Sequence, residues 1–289
     1  MRSLVTALRQ TLNLFGSQRK LWVPFLVVAG VELFCLGLIW LAPHPPFSKL
    51  LAPPIRYFFS DRVLHYPNHL WFLYHAMKHV HLVVSMAVGA VMSGLVCAMV
   101  RHSYEGKPLS VRSALVSGQV RFGAVLLIWA ITWGLAKILM EGLSRFAPKA
   151  GWVLWAAIAL TVILQMLLVY AIPATVFVGA KWWKAMVVSV KETLRHPLST
   201  FLVVAVPSAA VIAFSIVAPS GRVAQWMQQT EPEMVFVFIA GRLGLWTLVD
   251  AVITVAIAHL WWAHRTQPAT KTVQAALQPV RLKGGPAVA

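Results

Sequence analysis

The sequence predicts an all-α, polytopic membrane protein with six transmembrane helices in three pairs, each pair entered through an amphipathic helix on the membrane surface. Three observations carry this prediction. Mean hydropathy is +0.74, with 59% apolar and 11% charged residues, against roughly 45–50% and about 25% for a soluble domain. The apolar residues gather in six runs of about the ~20 residues that a ~30 Å hydrocarbon core requires. Between the runs stand short basic segments, where most of the +17 net charge resides, and this distribution is a topology signal rather than a nucleic-acid surface.

The chain opens with Leu4, Val5, Leu8, Leu12 and Phe15 set against Arg2, Thr6, Arg9 and Asn13, the first surface helix. The first span, 21–42, carries Trp22 and Trp40 at its edges, as an aromatic belt would place them. It is too long for a signal peptide and lacks a small-residue cleavage site, so it is read as a retained span. Residues 43–76 hold Pro43, Pro45, Pro46, Pro53, Pro54 and Pro67. This aromatic loop is expected to be too broken to span and to fold onto the outer interface.

The second span, 77–100, repeats small residues at Ser85, Gly89, Ser93 and Cys97, a stripe that admits close helix approach. A basic segment, 101–120, carries the second and weakest surface helix. The third span is 121–140, with Lys137 and Glu141 at i, i+4 near its outer end. The fourth, 152–176, is interrupted by Pro173; the fifth, 198–218, contains Pro207; the sixth is 234–262. Residues 1–265 therefore form a single transmembrane domain, and 266–289 read as a disordered tail. Cys35 and Cys97 fall inside spans and predict no disulfide.

The most strongly patterned surface helix lies between spans four and five. On a helical wheel Lys181, Lys184, Lys191, Glu192 and Arg195 occupy an arc of about 100°, with Trp182, Trp183, Met186, Val187, Val190 and Leu194 opposite. Lys181, Trp182, Trp183, Lys184, Lys191 and Arg195 are the expected interfacial anchor, facing anionic lipid headgroups. With Arg121 and Lys137, at the two ends of the third span, counted with the loops they adjoin, sixteen Lys and Arg belong to the termini and even-numbered loops, against seven in the odd-numbered loops. The positive-inside bias puts both termini in the cytoplasm of a bacterial inner membrane.

HSYEGKPLSVRSAL at 102–115 and IPATVFVGAKWWKAMVVSV at 172–190 resemble the repeated elements of a polytopic family. That family includes the membrane domain of some glycerophosphodiester phosphodiesterases and YciC-like inner-membrane proteins. Pro173, Gly179, Ala185 and Ser189 match its pattern, as do Gly106 and Ala114 in the other copy. The resemblance implies an inner-membrane protein; without the family's soluble phosphodiesterase domain it implies no hydrolase activity.

Ionisable residues inside spans are candidate functional groups, and three stand out: Glu32 in the first span, with Arg242 and Asp250 in the sixth. Arg242 lies about 12 Å above Asp250 along a helix and could reach toward Glu32 if the two spans are neighbours. The bland expectation is a buried pair that fixes packing. The sharper one is a proton or cation relay through Glu32 and Asp250. The spacings His65/His69 and His75/His79 suit a metal or haem, but imidazoles also suit headgroup depth, and no cofactor is predicted. No catalytic motif is present outside the spans, so enzyme activity is not expected. The leading expectation is a non-enzymatic membrane protein that binds lipid or partner membrane subunits, as a scaffold or accessory protein. The alternative is a transporter or channel for a lipid-like or small cationic substrate.

Overall fold

In hydrocarbon there is no water to satisfy backbone amides, so each long apolar run closes its hydrogen bonds within a helix. The structure, a computed structural model, describes residues 2–66, 68–107, 110–116, 121–146, 152–217 and 233–277, and every regular element among them is helical. In chain order the helices are α1 (Arg2–Ser17), α2 (Trp22–Leu41), α3 (Ser48–Phe59), α4 (Asn68–Val84), α5 (Ala90–Tyr104) and α6 (Val111–Val116). There follow α7 (Phe122–Phe146), α8 (Trp152–Leu168), α9 (Ala171–Val178), α10 (Trp182–Arg195), α11 (Pro197–Val217) and α12 (Met234–Leu277). Among the described residues, six stretches are long and apolar enough to cross a membrane: Arg19–Leu41, Asn68–Tyr104, Phe122–Leu143, Trp155–Val178, Pro197–Phe214 and Met234–Arg265. The chain is a multi-pass membrane protein with the six expected spans.

Consecutive spans touch, α2 with α4 and α5, α7 with α8, and α11 with α12. Helix α12 also packs on α1, α2, α4, α5 and α9. Two apolar clusters gather at the end that carries the termini. The first surrounds α5 from Leu95 to Val100 with Phe15, Leu21, Phe25, Val125, Val176, Val255 and Ala258. The second joins Ile128, Tyr170, Ala185, Val203, Ile257 and Trp261. A third cluster, Leu36, Leu73, Met77, Ile239 and Leu243, lies at the opposite end. Along the first span the buried residues include Leu21, just before α2, and Phe25, Glu32 and Leu36 on it, so Glu32 falls between the end clusters.

The structure departs from the sequence reading in several places. The 43–76 segment is not a loop: it contains α3 and the start of α4. Helix α3 tolerates Pro53 and Pro54 because the carbonyls deprived of partners, those of Lys49 and Leu50, belong to exposed residues that water can reach. The second span begins at Asn68 rather than 77, because no proline interrupts the chain from there, and a π-helical turn at Ser85–Gly89 joins α4 to α5. Of the small-residue stripe, Cys97 is fully buried, whereas Ser85, Gly89 and Ser93 are partly exposed. On α1, Phe15 and Thr11 are buried, but Leu12 faces outward. Helix α12 continues to Leu277, into the stretch expected to be tail; residues 278–289 lie outside the described residues.

The fourth span breaks between Leu168 and Ala171, ahead of Pro173, which has no N–H to continue the ladder. Helix α10 repairs the break. The Ser189 hydroxyl donates to the Leu167 carbonyl (2.7 Å) and accepts from the Tyr170 amide (3.0 Å), and Thr193 donates to the Met166 carbonyl (2.8 Å). Its buried face is therefore Ala185, Ser189, Glu192 and Thr193, which corrects the placement of Glu192 on the exposed arc. The span then ends on Gly179, whose φ of 66° is left-handed, a conformation glycine adopts without steric cost. Gly106, after α5, has nearly the same φ of 67°. In the helix that follows each glycine, one alanine, Ala114 or Ala185, is fully buried.

Candidate functional site

Between the apolar clusters, α2, α4 and α12 bring polar groups to one level. The Glu32 side chain is 1% exposed, a burial that a carboxylate sustains only with a partner. That partner is His81 of α4, whose Nδ1 donates to Glu32 Oε1 at 2.6 Å. The imidazole in turn lies 5.6 Å from the Trp246 ring of α12. Asp250, four positions after Trp246, shares the stripe Ile239, Leu243, Trp246, Asp250 that faces into the bundle, opposite the outward stripe Val237, Gly241, Gly244, Leu248. It is within electrostatic range of both His81 and Glu32. Asp250 is exposed where Glu32 is buried.

A small, open cleft lies next to this layer, lined by Tyr74, Met77, Lys78, His81, Ile239, Arg242, Leu243 and Trp246. Its walls are mostly apolar, and two permanent cations stand on them, Lys78 and Arg242. Lys78 also lies over the Tyr74 ring at 4.5 Å. The Trp246 indole N–H is buried without a hydrogen-bond partner among the described residues. Such an orphan donor costs about 1–3 kcal/mol unless a ligand or water takes it. The cleft thus offers two positive charges, one neutral donor and an apolar wall, with a buried carboxylate–imidazole pair at its floor.

The sequence-predicted residues divide accordingly. Glu32 and Asp250 share one layer, and spans one and six are neighbours. Arg242 is not the partner of Glu32, however: it faces the cleft, and among the described ion pairs Glu32 is matched by His81. The reason is geometric. His81 stands on the adjacent α4 at the level of Glu32, whereas Arg242 lies two turns nearer the membrane edge.

The outer histidines do not converge. His65 pairs with Asp61 (Oδ2, 3.2 Å), which also accepts from Arg56 Nε at 2.6 Å. These two bonds, His65 first, hold the exposed Asp61 carboxyl below its usual range. His69 donates to the Trp40 carbonyl (3.2 Å), while His75 and His79 are exposed. None of the four belongs to a three-ligand group among the described residues.

On α10, Lys181, Trp182, Trp183, Lys184, Lys191 and Arg195 are all exposed, and Lys184 lies over the Trp183 ring at 5.2 Å. At the same end, Arg101 on α5 donates from Nη1 to the carbonyls of Val176 (3.2 Å) and Phe177 (3.4 Å), the last turn of α9. Its Nε donates to Glu105 Oε1 at 2.6 Å. A cation at a helix C-terminus is favourably placed against the dipole. Tyr104 bonds to His259 of α12 and stacks on Trp262.

The sequence reading missed His81, because it weighed only the i, i+4 pairs His65/His69 and His75/His79. The available signal was its position beyond Met77, inside an apolar run and at a depth matching Glu32. It also missed Lys78, which the same helix presents to Arg242. A scan against family models, a search of curated proteins and a search of solved structures each find no match to the chain.

Proposed function

We propose that this is a non-enzymatic, lipid-binding protein of the bacterial inner membrane, which holds an anionic headgroup in the cleft between α4 and α12. The observation that carries the reading is the pair of permanent cations, Lys78 and Arg242, on an otherwise apolar wall beside an unpartnered indole N–H. A phosphate-bearing headgroup suits the cations and the donor, and its acyl chains suit Tyr74, Met77, Ile239 and Leu243. With both termini cytoplasmic, as the basic segments imply, the cleft opens toward the outer leaflet. Helix α10 then lies on the inner leaflet, with Trp182 and Trp183 at headgroup depth and Lys181, Lys184, Lys191 and Arg195 toward anionic lipid.

Each cation at a charged surface contributes about 1 kcal/mol, so replacing Lys78 and Arg242 together by alanine should weaken phosphatidylglycerol retention about 30-fold. Native mass spectrometry of the purified protein, titrated with phosphatidylglycerol and phosphatidylcholine, measures this. Equal retention of the two lipids, or no loss in the double variant, refutes the reading.

A second reading, a transporter or channel, is favoured by one feature: the accessible Asp250 beside the buried His81–Glu32 pair, in the layer where an alternating-access site would sit. Proton or cation flux in proteoliposomes that Glu32→Gln and Asp250→Asn both abolish supports it. Flux at the rate of empty liposomes removes it.

A further inference from the structure

A second polar cluster lies at the opposite end of the bundle. Glu192, in the last turn of α10, is 8% exposed. His196 follows at the C-cap of the same helix. His264 comes from α12, and its ring stacks on that of His196 with centroids 3.7 Å apart. One ligand atom from each of the three residues lies within 4.8 Å of the others. The convergence has a local cause. Glu192 and His196 are i, i+4 and so share a face of α10. The buried Ser189 and Thr193 seat that face on the bundle, beside the end of α12.

We propose that Glu192, His196 and His264 form a binding site for a divalent transition metal of the zinc class, tying the surface helix α10 to the last span. Two imidazole nitrogens and one carboxylate oxygen are the donor set of a three-protein-ligand zinc site with water in the fourth position. Calcium and magnesium demand mostly oxygen ligands, which this cluster lacks. A tetrahedral ion with bonds of about 2.0–2.1 Å spaces its ligands about 3.3 Å apart, so the ligand atoms must close by about 1.5 Å or less and the imidazoles must rotate out of their stack until both ring planes contain the ion.

The neighbouring cations oppose the ion, but they do not occupy the whole carboxylate. Arg195 (3.4 Å) and Arg265 (3.8 Å) both approach Glu192 Oε1, which leaves Oε2 for a metal. Arg265 also has a second partner, the Trp261 ring at 4.4 Å. Metal and guanidinium therefore compete for Glu192. The ion locks α10 to α12 through two imidazoles, whereas in its absence the arginines hold the carboxylate alone.

The test uses tag-free, full-length protein in detergent, titrated with Zn²⁺ by calorimetry and with Co²⁺ by visible absorption. One equivalent should bind and give the d–d spectrum of a four-coordinate cobalt site. His264→Ala and His196→Ala should each weaken affinity about 100-fold or more, at or beyond the 10–100-fold produced by losing a residue that merely supports a ligand. The combined change His65→Ala, His69→Ala, His75→Ala and His79→Ala should leave this equivalent unaltered. His264→Cys guards against misfolding of the alanine variants, because a thiolate at this position should add a sulfur-to-cobalt charge-transfer band. Absence of the equivalent, its survival in both His196→Ala and His264→Ala, its loss on changing the outer histidines, or a His264→Cys protein without the new band overturns the proposal.

Discussion

Replacing Ser189 by alanine tests how α10 holds the broken fourth span. The Ser189 hydroxyl makes two bonds, donating to Leu167 O at 2.7 Å and accepting from Tyr170 N at 3.0 Å. Both Ser189 and Tyr170 are fully buried, so water cannot replace the lost acceptor. Leaving the Tyr170 amide unsatisfied costs about 1–3 kcal/mol, and losing the donation to Leu167 adds about 0.5–1.5 kcal/mol, because that carbonyl can relax toward its own helix. The expected loss for Ser189→Ala is therefore about 1.5–4.5 kcal/mol. Thr193→Val removes a single bond, to Met166 O at 2.8 Å, and keeps the side-chain shape, so about 1 kcal/mol is expected. The order matters more than either value. Reversible unfolding measured by steric trapping in lipid bicelles gives both numbers on one scale. A Ser189→Ala protein within about 0.3 kcal/mol of the parent, or one less affected than Thr193→Val, refutes the claim that α10 caps the break.

Four further outcomes follow. Gly179→Ala should cost about 1–2 kcal/mol in the same assay, because φ is 66° there, whereas Gly37→Ala, in a helix with nothing within 4 Å of the added carbon, should be neutral or stabilising. Lys107 and Arg101, in that order, hold the Glu105 carboxyl below its usual range; its stabilisation is thus fully present above the ordinary carboxylate pKa and is lost as pH falls through the depressed folded value. Stability measured from pH 7 to pH 3 should fall in the parent but less steeply in Lys107→Met. Trp182→Ala with Trp183→Ala should lower folded yield in any lipid, while Lys181→Glu with Lys184→Glu should do so only in anionic bilayers, as size-exclusion recovery will report. For topology, Lys191→Cys should react with an impermeant thiol reagent only from the cytoplasm and Lys49→Cys only from outside; both side chains are exposed, and the reverse pattern inverts the bundle.

The sequence by itself determined the solvent and the number of crossings. Long apolar runs in hydrocarbon have one low-energy backbone, the helix, so composition and run length suffice to place six spans. It also located the break at Pro173, because a missing N–H is a local backbone constraint carried by a single residue type; Gly179 was singled out only as part of a family-like pattern, and its left-handed φ is a finding of the structure. The sequence selected Glu32, Asp250 and Arg242 by the cost of placing charge in a span.

Partnership was beyond it. Which charged group meets Glu32 depends on which helix stands beside α2 and at what depth. Only packing brings His81 there and turns Arg242 to the cleft with Lys78. Proline density argued for a loop at 43–76, but Pro53 and Pro54 sit where water reaches the orphaned carbonyls, so α3 survives. On α10 the division into charged and apolar arcs was legible, yet the face that docks meets the charged arc only at Glu192. It is Ala185, Ser189, Glu192 and Thr193, chosen because small and hydrogen-bonding side chains let the helix approach the open carbonyls of the fourth span. The spacing of Glu192 and His196 was visible in the chain. Their meeting with His264, some seventy positions later, required the last span to pass beside that helix, and no local pattern encodes such a crossing.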